Sequence, residues 1–141
     1  LMKRPAGLEN IKGVKEASAD INQIMQICRD CDIDVLAGDD TIALPLMSAG
    51  GAGVISVTSN LMPGQVSEMA KHALEGNFDK AREMHYNLWP LYKAAFFETN
   101  PIPIKYMLAR KGFINEEYRL PLVPPAMETK EKIDRVLDNE A

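Results

Sequence analysis

Near its beginning the sequence reads Ile11-Lys12-Gly13-Val14-Lys15-Glu16-Ala17, an apolar run typical of a β-strand. Side chains of a strand alternate between two faces, so Lys15 shares a face with Ile11, Gly13 and Ala17. That face is apolar or small, which leaves room for a ligand beside the amine. A neutral lysine amine can attack a carbonyl and form a Schiff base. Most lysines at strand ends instead extend into water, and the strand by itself favours this simpler interpretation.

Strands and helices alternate through the first half of the chain. After the strand over residues 11–17, the spacing of apolar residues predicts a helix over 20–31, with Asp20 as its N-cap. The prediction continues with a strand over 33–37, a short helix over 41–49, a strand over 54–58 and a helix that begins at Pro63 and ends before Gly76. This order indicates parallel strands joined by right-handed crossovers.

The second half is predicted to be helical. The pattern favours a long helix over 78–97, a second helix ending near Arg110, an extended linker over 119–125 and an amphipathic helix over 128–137. We therefore expect an α/β unit over 1–77 and a helical unit over 78–141. Three parallel strands that are apolar on both faces need neighbours on both edges, so we expect the chain to be part of something larger.

Composition and charge exclude several classes of function. The chain has 141 residues and a net charge of −4, and without a basic stripe we expect no nucleic-acid partner. Residues 41–67 carry no charge, yet they contain too many Gly, Pro, Ser and Asn residues for a membrane span. No secretory signal is visible, so we expect a cytoplasmic protein with Cys28 and Cys31 reduced.

Three other motifs have simple structural interpretations. The adjacent Asp39 and Asp40 follow a strand and favour a helix N-terminus, with Asp39 as the cap, over a metal site. Residues 50–53 are rich in glycine, but they precede a strand, whereas phosphate-binding glycines follow one. His72 and His85 lack partners at a catalytic spacing and are interpreted as structural or solvated. We expect no metal and no cofactor.

Taken together, several motifs resemble the dihydrodipicolinate synthase family. The resembling segments are Gly13-Val14-Lys15-Glu16-Ala17-Ser18, Ala37-Gly38-Asp39-Asp40, Gly50-Gly51-Ala52-Gly53-Val54-Ile55-Ser56-Val57-Thr58-Ser59-Asn60, Glu98-Thr99-Asn100-Pro101-Ile102-Pro103-Ile104-Lys105 and Arg119-Leu120-Pro121-Leu122. The lysine strand alone is also similar to sibling pyruvate aldolases such as N-acetylneuraminate lyase. The last two segments point more narrowly to the synthase.

The resemblance implies an α/β fold, the C-terminal half of a (β/α)8 barrel followed by a helical extension. Residues 1–77 would supply the sixth to eighth barrel strands with their helices, and residues 78–141 the extension. Members of the family are usually homotetramers, so we expect as partner either further copies or a missing N-terminal half-barrel. Such barrels place their chemistry at the carboxyl ends of the strands.

The resemblance also implies an activity and roles for four residues. Lys15 would form a Schiff base with pyruvate, and the backbone carbonyl of Ile55 would position the pyruvate-derived group. Gly38 and Asp39 would line the side where L-aspartate 4-semialdehyde enters. The product would be 4-hydroxy-tetrahydrodipicolinate, an intermediate of lysine biosynthesis through diaminopimelate.

The sequence departs from the family pattern in one respect. The family's proton-relay tyrosines and threonine, and its semialdehyde-binding arginine, belong to the N-terminal half and have no counterpart here. General acid–base catalysis contributes about 10²–10⁴ in rate, so we expect this chain alone to be inactive or nearly so. Two alternatives stay open: a sibling such as an N-acetylneuraminate lyase or a keto-deoxy-sugar acid aldolase, and a noncatalytic half-barrel that acts by association.

Overall fold

The computed structural model describes residues 2–139. Leu1, the first residue of the predicted α/β unit, and residues 140–141, the last two of the predicted helical unit, lie outside the described part. The secondary structure consists of three strands, seven α-helices and two 3₁₀ turns within residues 2–139. In chain order these are α1 (Lys3–Ala6), β1 (Gly13–Glu16), α2 (Ile21–Asp30), β2 (Asp34–Ala37), a 3₁₀ turn (Asp40–Ile42), α3 (Ala43–Ser48), β3 (Gly53–Val54), a 3₁₀ turn (Thr58–Asn60), α4 (Pro63–Leu74), α5 (Phe78–Ala94), α6 (Ile102–Arg110) and α7 (Met127–Asn139).

The three strands form one parallel sheet in the order β1-β2-β3. Lys15 pairs with Leu36 in the register of β1 and β2, and Leu36 pairs in turn with Gly53 of β3. Consecutive parallel strands joined by helices are what the alternating pattern predicted. Within residues 2–139 the outer edges of β1 and β3 have no strand neighbour, which leaves their backbone groups available for pairing.

Local signals explain where the helices begin. The Asp20 carboxylate accepts hydrogen bonds from the backbone N–H groups of Asn22 at 2.9 Å and Gln23 at 3.3 Å, which confirms Asp20 as the N-cap of α2. Pro63 occupies the first turn of α4, as predicted. Helix α5 continues through Pro90 and ends at Ala94, three residues earlier than expected.

The third strand is shorter than predicted. Residues 54–58 were expected to be extended, but β3 covers only Gly53–Val54 and a 3₁₀ turn begins at Thr58. The backbone N–H groups of Val57 and Thr58 donate to the side chain of Asp40 instead of to a neighbouring strand. Gly50 and Gly53 have φ values of 102° and 152°, which confirms that the glycine-rich segment turns the chain into β3.

Apolar side chains are buried in two clusters. One lies between the sheet and helices α2, α3 and α4, and includes Ile24, Val35, Leu46 and Met69. The other lies among α5, α6 and α7 and the beginning of α4, and includes Val66, Tyr92, Met107 and Ile133. No helix in the described chain is long and apolar enough to cross a membrane.

Candidate active site

Lys15 lies directly beside Gly38, at the carboxyl ends of neighbouring strands β1 and β2. A Cβ atom built on Gly38 would lie 2.9 Å from the Cε atom of Lys15 and 2.6 Å from the Cβ atom of Ala17. Ordinary contacts between carbon atoms are about 3.5–4.0 Å, so only glycine fits at this position. The lysine side chain therefore passes over the Gly38 backbone.

The amine of Lys15 is exposed in this structure and forms no hydrogen bond or ion pair with a described residue. Lys15 also borders a cavity of about 420 Å³ between β1 and α2, which is lined by Val14 and Glu16 of the opposite strand face and by Gln23 and Gln26. Because Lys15 is itself exposed, both a small molecule and water can reach its amine.

The residue after the lysine, Glu16, is buried and anchors the end of β1 through hydrogen bonds. Glu16 points to the opposite face and is 5% exposed. Its Oε1 atom accepts hydrogen bonds from the Gln23 side-chain amide at 2.9 Å and from the Ser18 backbone N–H at 3.0 Å. These bonds tie the end of β1 to the beginning of α2. The alternation of faces expected from the sequence is therefore observed, with the lysine outward and the glutamate inward.

Asp39 caps the 3₁₀ turn that follows β2, as the sequence predicted. Its Oδ1 atom accepts hydrogen bonds from the backbone N–H and the hydroxyl of Thr41, both at 2.7 Å. A carboxylate at this position is favoured by the unpaired N–H groups of a helical N-terminus. The cap fixes the direction in which the chain leaves Gly38.

Asp40 lies in the first turn of the same 3₁₀ helix, as the sequence predicted, and has a further role that the sequence did not suggest. It is 1% exposed, and its Oδ2 atom faces the turn after β3. This oxygen accepts hydrogen bonds from the backbone N–H groups of Val57 at 3.0 Å and Thr58 at 3.1 Å, and from the Thr58 hydroxyl at 3.3 Å. Sequence reasoning missed this contact because the partners are 17 and 18 residues away.

Ile55 follows β3 directly and is 46% exposed. Its backbone N–H donates to the carbonyl oxygen of Ala37 at 2.8 Å, which extends the pairing of β2 and β3 by one residue. Among the hydrogen bonds of residues 2–139, none ends on the Ile55 carbonyl oxygen. The carboxyl ends of β1, β2 and β3 therefore carry Lys15, Gly38 and Ile55, with Asp39 next to Gly38.

Two ring-bearing side chains of α5, His85 and Tyr92, are buried within electrostatic reach of the Asp40 carboxylate. His85 is buried, and its ring centroid lies 5.3 Å from that of Tyr92. Burial lowers the pKa of His85, although a backbone hydrogen bond to Thr41 and the negative charge of Asp40 oppose this shift. Burial and the same charge raise the pKa of Tyr92 well above its ordinary value. His85 is thus a structural residue, one of the two possibilities expected, whereas His72 is partly exposed on α4.

Residues 2–139 give little support to the other candidate sites, which are a metal site, a reactive thiol and a phosphate site. Among residues 2–139, no group of three or more His, Cys, Asp or Glu side chains is arranged to hold a metal ion. Cys28 and Cys31 are not joined in a disulfide, and burial raises the pKa of Cys28, which disfavours the reactive thiolate. The glycines before β3 present no helix N-terminus to a phosphate.

A lysine and two loops at the carboxyl ends of parallel βα units define an α/β-barrel type of site. The model of the Dihydrodipicolinate synthetase family matches residues 2–140. This match covers nearly the whole chain, so the protein belongs to the dihydrodipicolinate synthetase family.

Individual relatives agree with the family model. The 4-hydroxy-tetrahydrodipicolinate synthase of Methanocaldococcus jannaschii is 48% identical over 128 residues, which cover 91% of this chain and 44% of the relative. The crystal structure of dihydrodipicolinate synthase from Aquifex aeolicus has a TM-score of 0.94 and 41% identity, covering 98% of this chain and 48% of that one. The chloride-inhibited enzyme from Acinetobacter baumannii, complexed with pyruvate, has a TM-score of 0.93 and 33% identity, covering 97% of this chain and 48% of that one.

The chain spans about half the length of the curated relatives it matches. These comparisons confirm the predicted fold class, three parallel βα units of a (β/α)8 barrel with a helical extension. They also confirm the family that the sequence motifs resemble, which is a family of lyases.

Proposed function

We propose that this chain supplies the Schiff-base lysine of a 4-hydroxy-tetrahydrodipicolinate synthase, which condenses pyruvate with L-aspartate 4-semialdehyde in lysine biosynthesis. The observation that carries the proposal is Lys15, unpaired among the described residues and lying over Gly38 at the carboxyl end of β1. Membership of the family supports it. The proposal needs no cofactor and no metal, and it places the protein in the cytoplasm.

The proposed chemistry begins with attack of the neutral Lys15 amine on the keto carbon of pyruvate. The carbonyl oxygen leaves as water, and a protonated Schiff base remains. Loss of a proton from the methyl carbon gives an enamine, whose carbon then forms a bond with the aldehyde carbon of the semialdehyde while the aldehyde oxygen takes up a proton and becomes a hydroxyl group. The amino group of the former semialdehyde then displaces the Lys15 amine from the iminium carbon, which closes the ring and frees the lysine. The Ile55 carbonyl would accept a hydrogen bond from the pyruvate-derived group, and Gly38 and Asp39 would line the entry of the second substrate.

We further propose that the chain alone has little or no activity. Among residues 2–139 no side-chain acid or base forms a hydrogen bond with Lys15. Without a proton relay, the rate should be lower by about 10²–10⁴. We also propose a division into a half-barrel over 1–77 and a helical domain over 78–141, although each cluster of buried side chains draws residues from both sides of that boundary, such as Leu61 and Ala81.

Borohydride trapping with pyruvate tests the role of Lys15. The polypeptide produced from its own reading frame is incubated with pyruvate, reduced, digested and analysed by mass spectrometry. We expect one pyruvate-derived adduct, on Lys15, which Lys15→Arg abolishes. Lys12→Arg is the matched control, because Lys12 is also exposed but precedes the strand on its other face. An unmodified Lys15 in the unaltered protein would refute the proposal.

A second assay separates the synthase from sibling aldolases. All of them form the pyruvate adduct, but only the synthase consumes aspartate semialdehyde, which a coupled reductase reports. Turnover of N-acetylneuraminate or of a keto-deoxy-sugar acid in place of the semialdehyde would assign the protein to a sibling activity.

A noncatalytic role by association is a second candidate, and the unpaired edges of the sheet favour it. The outer edges of β1 and β3 have no strand neighbour within residues 2–139. Such edges pair readily with another segment or another copy. Sedimentation of the chain should then show an oligomer or a complex with an added N-terminal half-barrel. A monodisperse monomer that melts cooperatively would contradict this candidate.

A further inference from the structure

A buried carboxylate connects the two loops that follow β2 and β3. The Oδ2 atom of Asp40 accepts two backbone hydrogen bonds, from Val57 at 3.0 Å and Thr58 at 3.1 Å, and one from the Thr58 hydroxyl at 3.3 Å. Three donors directed at one charged oxygen form a strong local interaction, because hydrogen bonds to an ionised acceptor are stronger than neutral ones. The side chain of Asp40 thus fixes the turn at residues 57–58.

This turn lies two residues after Ile55. On its other side, Ile55 is fixed by the hydrogen bond from its N–H to the Ala37 carbonyl, at 2.8 Å. The peptide segment from Ile55 to Val57 is therefore held at both ends, by β2 on one side and by Asp40 on the other. The carbonyl oxygen of Ile55 belongs to this segment and accepts no hydrogen bond from residues 2–139.

The surroundings of the carboxylate exclude water from this contact. Asp40 is 1% exposed, and the buried side chains of His85 and Tyr92 from α5 are close enough to respond to its charge. In a site of low polarity, a hydrogen bond is stronger and a lost one leaves buried donors unpaired. The backbone N–H groups of Val57 and Thr58 would be those donors.

We propose that Asp40 is a positioning residue that directs the Ile55 carbonyl toward the group bound at Lys15. This inference rests on the proposed function, because it concerns the same site and the same first substrate. It assigns to Asp40 a role distinct from that of Asp39, although the two carboxylates are adjacent in the sequence. Asp39 caps its own turn, whereas Asp40 acts through another loop.

The test compares three substitutions of Asp40 with one control. Asp40→Ala and Asp40→Ser remove the acceptor that reaches Val57 and Thr58, and the serine variant leaves a polar side chain in case the alanine variant does not fold. Asp40→Asn keeps a side chain of the same length that still carries one acceptor oxygen. Thr58→Val is the matched control, because it removes only the hydroxyl bond and keeps both backbone bonds.

The main measurement is made on the polypeptide produced from its own reading frame, with an added N-terminal half-barrel if that polypeptide lacks one, because the chain alone is proposed to be nearly inactive. It gives the Michaelis constant for each substrate, with kcat normalised to the amount of lysine that borohydride and pyruvate can trap. We expect Asp40→Ala and Asp40→Ser to raise KM for pyruvate by about 10–100-fold, the range for a misplacement near 1 Å. KM for aspartate semialdehyde should change by less than about threefold, and Asp40→Asn and Thr58→Val should stay near the unaltered protein. A purely structural role would lower the melting temperature without changing either KM.

Hydrogen exchange at the Val57 and Thr58 amides gives a readout that needs no activity. Faster exchange in Asp40→Ala or Asp40→Ser, with exchange unchanged at Ile24, supports the contact in solution. Exchange that stays slow at both amides overturns the inference, and so does an unchanged KM for pyruvate. Absence of a Lys15 adduct in the unaltered protein overturns the proposed function itself, which distinguishes the two failures.

Discussion

Replacement of Gly38 by alanine should damage the site through crowding and not through backbone strain. The φ angle of Gly38 is outside the region that favours glycine, so an alanine is allowed there by its backbone. The new methyl group would nevertheless lie 2.6 Å from the Cβ atom of Ala17 and 2.9 Å from the Cε atom of Lys15. The contact with Ala17 is short of a normal separation by about 1 Å.

The two contacts differ in how easily they can relax. The Lys15 side chain is flexible at its far end and can rotate away, but the Cβ atom of Ala17 moves only with the backbone. The ends of β1 and β2 must therefore separate, although Gly38 N–H bonds the Glu16 carbonyl at 2.6 Å. Overpacking of this kind typically costs about 1–3 kcal/mol of unfolding free energy. The displaced lysine should form its pyruvate adduct up to about 100-fold more slowly.

Urea denaturation and the rate of borohydride-trapped adduct formation measure the two effects separately. Gly64→Ala is the matched control, because nothing lies within 4 Å of a Cβ atom built at that exposed helical position. It should leave trapping unchanged and stabilise α4 by up to about 1 kcal/mol. A Gly38→Ala protein with unchanged stability and unchanged trapping would refute the crowding argument.

Three further predictions concern stability. In urea titrations, Asp20→Ala should lower the unfolding free energy by about 1 kcal/mol, because α2 loses its N-cap. Asp20→Asn should keep most of the stabilisation that the cap provides. Ile24→Ala should lower the unfolding free energy by about 2–5 kcal/mol in the same assay, because Ile24 is 0% exposed. Its neighbour Met25 is 54% exposed and should tolerate alanine. Equal losses of unfolding free energy in the two variants would contradict the packing described. Burial lowers the pKa of His85, so the unfolded chain binds the proton first as the pH falls. The stability that depends on neutral His85 should therefore be complete above about pH 6.5. Below that pH the unfolding free energy should fall by up to about 1.4 kcal/mol per pH unit, until the pH reaches the lowered pKa of the folded state. Melting temperatures from pH 5 to 8 should show this decline weakened in His85→Gln, and an identical decline in that variant would disprove the assignment.

Local signals in the sequence predicted most of the fold. Asp20 and Pro63 mark the beginnings of α2 and α4 through contacts within one helical turn, so their positions could be read from neighbouring residues. The resemblance to the family placed Lys15, Gly38 and Ile55 at the carboxyl ends of the barrel strands, and these ends are neighbours in the parallel sheet.

The errors arose where a side chain acts over a long distance along the chain. The end of β3 is set by Asp40, 17 residues before Val57, and nothing near residues 54–58 signals that their N–H groups bond a carboxylate. For the same reason the sequence placed Asp40 correctly at the nearest helix N-terminus but gave no sign of its contact with the later loop. Buried polar contacts of this kind depend on which loops the fold brings together, and sequence spacing alone does not give that information.

The alternation of Lys15 and Glu16 also protects the alignment of β1 with its neighbours. A slip of one residue would turn the ammonium group into the space where Glu16 now accepts a hydrogen bond from the Gln23 amide. Two hydrogen-bond donors would then face each other in a buried position, and the carboxylate would be turned to the open face. The misaligned strand is thus excluded by charge as well as by shape, so the correct pairing during folding delivers the amine to the accessible side.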